Sequence, residues 1–220
     1  IESSEPNFDQ LDYLNNLCRY VCQHTPDENE MREKYLEVIN REPQKRITRY
    51  AAGIMGGTGF AVFFGCNLWD AVIAFIVSVM IVAVGDWLAK RESNLLVYNG
   101  ILAFISEVII IGALKMGIAD HPDRIMIGIV MLLISGLSTT NGIRDLLQRD
   151  FISGFINIMN SFLGAAGIAF GIGLAIILFH EGYSDHFILN HSVPIQLLSC
   201  TVACTGFALW FKIRGKQVWY

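Results

Sequence analysis

Charged side chains are scarce in this chain and unevenly placed. Asp, Glu, Lys and Arg make up 16% of the 220 residues, where soluble domains carry about 25%. The first fifty residues hold seven Lys/Arg and ten Asp/Glu, so the other 170 have only nine and ten. A segment of that length with so little charge cannot present a soluble surface, which excludes ordinary globular, nucleic-acid-binding and secreted disulfide-rich classes. Cysteine is sparse too, with five residues. Cys18 and Cys22, like Cys200 and Cys204, stand four apart on expected helices, a spacing that suits neither a disulfide nor, without further ligands, a zinc site. They read as small apolar fillers. The chain has no GxxxxGK[ST] loop, which removes direct ATP drive, and HEGYSDH at 180–186 lacks the HExxH spacing of a zinc protease. With no nucleophile–base pair either, the expectation is a non-enzyme with no metal and no cofactor.

What is abundant is apolar length. Uncharged runs occupy 50–69, 71–85, 93–106 continuing to Leu114, 125–143, 151–180 and 192–211. A hydrocarbon core of about 30 Å is crossed by about 20 such residues. These runs predict an all-α membrane protein, a bundle of about six transmembrane helices preceded by a short cytoplasmic helical segment. With the N-terminus in the cytoplasm, fourteen Lys/Arg fall inside and only Lys115 and Arg124 outside, a strong positive-inside bias. It puts residues 1–46, 90–92, 144–149 and 212–220 in the cytoplasm and 115–124 and 181–193 outside. Residues 1–46 read as two amphipathic helices: Leu11, Leu14, Leu17, Tyr20 and Val21 share a helical spacing, and Pro26-Asp27-Glu28 opens a second helix running through Ile39. Their core is too small to stand alone, so they are expected to pack on the bundle or on sequence outside this chain. Ile1 in place of a methionine, and an apolar helix just before Tyr220, suggest part of a longer protein.

Several polar residues interrupt the apolar runs. In the fourth run the apolar part, Ile125 to Leu137, is too short to cross and ends in Ser138-Thr139-Thr140-Asn141-Gly142. A new helix then begins with Ile143, Leu146, Leu147 and Phe151 on one face. This reads either as a discontinuous helix whose freed N–H groups hold an anion, or as a plain turn capped by Thr140 or Asn141. In the first reading Ser138 and Thr139 donate to a substrate carboxylate, Arg144 adds positive charge and Asp145 orients Arg144. The fifth run would be about 45 Å long as a helix, so its first part is expected outside the hydrocarbon. It carries a stripe of Asn157, Asn160, Ser161, Gly164, Ile168 and Gly171, suited to close helix packing or to a polar path. Glu107 stands alone in ISEVIII near the middle of the third run, where a carboxylate must be protonated, paired or hydrated. It is the candidate proton-responsive group, or else a structural donor to Asn157 or Asn160. Asp70 and Asp86 flank the second run and suit a capping or interfacial role.

Three segments carry a resemblance: FFGCNLWDAVIAF at 63–75, LLISGLSTTNGIRDLLQRDFISG at 132–154 and the Gly/Ala-rich fifth run. They resemble the threonine/serine exporter family, which also includes dicarboxylate transporters. On that likeness Asp70, Gly136, Asn141, Arg144, Asp145, Asp150 and Gly154 match motif positions. Ser135-Gly136 departs from the family's Pro-Gly, and Asn160 stands near a family Glu. The resemblance implies a five-span module at 47–180, following a soluble segment at 1–46 that ends a larger domain. Residues 181–220 would be an outer loop and the first span of a second module, fused or separate. It also implies a proton-coupled antiporter of the bacterial inner membrane that exports an amino acid such as threonine or serine. Its partners would be the small-molecule substrate, membrane lipid, the second module and further copies, with no nucleic acid. A dicarboxylate transporter and a non-transporting scaffold are the rival readings.

Overall fold

A computed structural model describes residues 8–24, 26–40, 46–89, 91–92, 94–134, 136–179 and 193–211. Of these 88% are helical and none lies in a strand. The helices are α1 (Phe8–His24), α2 (Glu28–Ile39), α3 (Arg46–Phe63), α4 (Leu68–Leu88), α5 (Leu95–Lys115), α6 (Pro122–Leu133), α7 (Gly136–Leu147), α8 (Phe151–Phe179) and α9 (Val193–Trp210). The protein is an all-α membrane protein that crosses the membrane more than once.

Six crossings are expected, but among the described residues length and apolarity alone give four, α4, α5, α8 and α9, and a fifth if α6 and α7, bent by 53° at their junction, count as one broken span. The helix that falls short is α3, because Arg46, Arg49 and four glycines dilute its 18 residues. Packing gives those glycines their use. A Cβ on Gly59 would stand 2.9 Å from the Ala203 backbone nitrogen of α9, and one on Gly206 2.6 Å from that of Gly56. One on Gly128 of α6 would meet the Ala61 nitrogen at 2.7 Å. Lipid tails are as apolar as leucine, so helices in a membrane associate through such close backbone approach rather than through hydrophobic drive. α3 is accordingly surrounded by α4, α6 and α9.

The same contacts fix direction. Gly56 meets Gly206 while Gly59 meets Ala203, so α3 and α9 are antiparallel; Gly167 lies against Leu96 and Gly171 against Gly100, so α5 and α8 are parallel. Asp70 at the start of α4 accepts from the Asp120 N–H at 2.9 Å, so the turns α3–α4 and α5–α6 share one end of the bundle, here called upper, and α8, parallel to α5, begins with the α7–α8 turn at the other, lower end. Between them Ile73, Val77 and Ile81 of α4, Leu102 and Ile110 of α5, and Ile125 and Ile129 of α6 form the buried core.

α1 and α2 form a hairpin. Asp27 is the N-cap residue of α2. Tyr20 donates its hydroxyl to Glu30 at 2.8 Å and lies under the Lys34 ammonium. The expected apolar face of α1 is only partly covered, with Leu11 63% and Leu14 41% exposed. The cysteines correct the filler reading in part. Cys66 is buried, but Cys18, Cys22 and Cys204 are exposed.

Candidate functional site

Polar side chains gather at three levels of the bundle. At the lower level α7 turns into α8 through Gln148, Arg149 and Asp150. The Asp150 N–H returns to the Asp145 carbonyl and the Arg149 N–H to that of Leu146, the Schellman arrangement that closes a helix. It requires a left-handed residue, and Arg149 takes it at φ 66° where glycine is usual. The Asp150 carboxylate then accepts from the Ser153 N–H at 3.3 Å, opening α8. Just beyond the turn the two helices touch: a Cβ on Gly154 would sit 2.8 Å from the Gly142 carbonyl oxygen.

That closeness brings side chains together. Asp145 accepts from Ser153 Oγ at 3.0 Å and Asn157 Nδ2 at 3.1 Å, and Ser138 Oγ donates to the Asn157 carbonyl at 3.1 Å. The Asp145 carboxylate thus turns to α8 rather than to Arg144, which is exposed. The position of the break is also corrected. Residues 138–142 lie inside α7, which begins at Gly136, and α6 ends at Leu133, so the interruption comes about four residues earlier than the hydroxyl-rich segment. Thr140 and Asn141 are therefore not caps; Thr140 Oγ1 bonds the Gly136 carbonyl of its own helix. Ser138 and Thr139 fall in the first turn of α7, where helix N–H groups have no carbonyl one turn back. Asn160 is exposed and Ser161 half-buried.

At the middle level Glu107 is 1% exposed. It lines a cavity of about 10 Å³ with Ala103, Ser106 and Ile110 of α5, Met126, Ile129, Val130 and Leu133 of α6, and Ile172 of α8. That is room for about one water molecule. Of its expected partners, Asn157 gives its amide to Asp145 instead. Asn99, about two turns below on α5, reaches the Gly164 carbonyl of α8 at 3.4 Å.

At the upper level Asp70 is fully buried. As the third residue of α4 it completes a capping box with Asn67, and its two oxygens accept from the N–H groups of Asn67 at 3.2 Å, Asp120 at 2.9 Å and His121 at 3.4 Å. His121 Nδ1 lies 3.1 Å away. One carboxylate so ties the α3–α4 turn to the α5–α6 turn. Beside it, Arg124 Nη1 donates to the Gly65 carbonyl at 2.6 Å. Burial, with Asp70 adding to it, pushes the Cys66 thiol up, so it stays protonated.

The family model described as a threonine/serine exporter matches residues 1–179. The chain belongs to the threonine/serine exporter family. A relative named threonine/serine exporter, from Corynebacterium glutamicum, is 25% identical over 182 residues, which cover 79% of this chain and 37% of the relative. The chain thus spans little more than a third of that protein's length. No solved structure matches it.

Membership agrees with the resemblance carried by 63–75 and 132–154. Of the motif positions read for this family, Asp70 is an interhelical tie at the upper end, whereas Asp145, Asp150 and Gly154 build the lower elbow. A Cβ on Gly136 would meet nothing within 4 Å. Sequence reading missed Gly142, whose signal was its pairing with Gly154 across a hairpin, and Arg124, which it counted only as an outer charge. HEGYSDH lies outside the described residues.

Proposed function

We propose that this chain is the membrane part of a secondary transporter of the exporter family, moving a small carboxylate-bearing metabolite, most simply threonine or serine, outward as protons enter. The relative from Corynebacterium glutamicum, a threonine/serine exporter by name, supplies the substrate class. One observation carries the coupling: Glu107, the acid deep in an apolar helix, faces α6, the first half of the broken span, across a water-sized cavity. A protonation change there alters the contact of a half-helix that can move on its own. The substrate carboxylate meets the first turn of α7, with the main-chain N–H groups of Ser138 and Thr139 as donors and Arg144 as an approaching cation; Thr140, Asn141, Asp145, Asn157, Asn160 and Ser161 complete the lower polar surface. The N-terminus is cytoplasmic in an inner membrane, and the second module, separate copies or both complete the pathway.

Reconstituted full-length protein tests this. Glu107→Gln keeps a donor and an acceptor but holds no exchangeable acid. It is expected to exchange threonine across the vesicle membrane while losing accumulation driven by a pH gradient; retained gradient-driven transport rejects the coupling. Impermeant thiol labelling tests orientation, since a cysteine at Glu92 that reacts from outside intact cells rejects it. A dicarboxylate substrate is the second reading. It calls for a further cationic group in the pathway, which the buried Arg124 supports. Succinate competing better than threonine would favour it. The buried Asp70, Asn99, Ser106, Glu107 and Arg124 speak against a scaffold with an unlined interior.

A further inference from the structure

Among the described residues Arg124 is the one buried Lys or Arg, at 7% exposure. Its guanidinium is charged at any physiological pH, yet among these residues it takes part in no ion pair. Its single hydrogen bond runs from Nη1 to the Gly65 carbonyl. Nε is shut off from solvent with no partner, and the same holds for Oδ1 of the adjacent Asp123. Asp70 lies beside it but offers no hydrogen bond, because both of its oxygens are already taken by Asn67, Asp120 and His121.

A buried guanidinium with an unpartnered N–H and no direct ion pair is costly to keep. The group that best relieves it at the unpartnered Nε edge is a planar oxyanion accepting two parallel N–H bonds, which is the geometry of a carboxylate. Arg124 lies in the first turn of α6, where the helix dipole also favours negative charge. We propose that Arg124 binds the carboxylate of the transported molecule at the upper end of the bundle, with Asp123 facing the ammonium when that molecule is an amino acid. The proposal rests on the transport reading above and adds to it a second recognition point, one helix away from α7. In the present conformation both free atoms are sealed, so the carboxylate enters when the turns tied by Asp70 part.

The test is thermal unfolding of the purified full-length protein in detergent with threonine, succinate, acetate or threoninol, which keeps the amine and hydroxyl of threonine but has no carboxylate. Bound ligand raises the melting temperature. Wild type is expected to be stabilised by at least one carboxylate and not by threoninol. Arg124→Gln should lose that shift while melting no lower than wild type without ligand, because a buried charge with an unpartnered N–H has gone. Arg124→Lys, a point charge without the fork, should keep a reduced shift. A full carboxylate shift in Arg124→Gln, or in Arg124→Lys should the first variant not fold, overturns the proposal, as does wild type that responds to no carboxylate. A response to succinate alone leaves Arg124 as the binding residue and rejects the amino-acid substrate instead.

Discussion

The two ends of the bundle hold their charges differently. At the upper end Asp70 and Arg124 are 0% and 7% exposed and bind backbone groups of the turns, the N–H groups of Asn67, Asp120 and His121 and the carbonyl of Gly65. At the lower end the Arg49–Asp86 pair, 2.7 Å apart, joins α3 to α4 between side chains 33% and 28% exposed, Arg144 is exposed and Asp145 is half-buried. A buried carboxylate saturated by main-chain donors cannot be released without leaving several polar groups unpaired, whereas half-hydrated charges exchange a partner for water at little cost. The upper turns are therefore locked in this conformation, and the lower helices part more cheaply.

Asp70→Ala should have the largest effect. It strands three N–H groups and removes a buried charge's whole network, which costs on the order of 3–5 kcal/mol. Unfolding of the full-length protein in detergent measures it, with Asp70→Asn falling between because the amide keeps one acceptor oxygen. Next comes Gly154→Leu, whose Cβ would meet the Gly142 oxygen and Leu146 Cγ, each at 2.8 Å. Overpacking of this kind costs about 1–3 kcal/mol, and it should also break the Asp145 hydrogen bonds, so substrate affinity should drop in the same variant. Arg49→Ala should be the mildest, at or below about 1 kcal/mol, as for other solvent-screened ion pairs. An Arg49→Ala loss equal to that of Asp70→Ala would erase the distinction between the ends.

Where a residue's signal was local, sequence reading found it. The start of α2 after Asp27, the length of α8 and the capping role of Asp70 follow from spacing and cap chemistry that need only neighbouring residues. Glu107 stood out because one acid in an apolar run is anomalous wherever the run packs. Interhelical pairing was not legible in this way. Hydroxyl-rich residues 138–142 looked like the interruption, yet they continue α7, because Gly142 fits against Gly154 and Ser138 reaches the Asn157 carbonyl. Asp145 looked like a partner for the adjacent Arg144. Residues i and i+1 point away from one another on a helix, and Asp145 faced α8.

Composition, charge spacing and apolar length determined by themselves that this chain is an all-α membrane protein and that an acid lies inside one of its apolar helices. These are properties of single segments set against a lipid or aqueous solvent. Tertiary structure alone decided which helices the glycines of α3 pack against and that Asp70 binds two turns together. It also decided that, among the described residues, Arg124 is buried with a free edge while Arg144 is exposed. The physical reason is that burial in a membrane bundle follows from how closely two backbones fit, and that fit depends on pairs of residues far apart in the chain: Gly59 with Ala203, Asp70 with His121, Gly142 with Gly154.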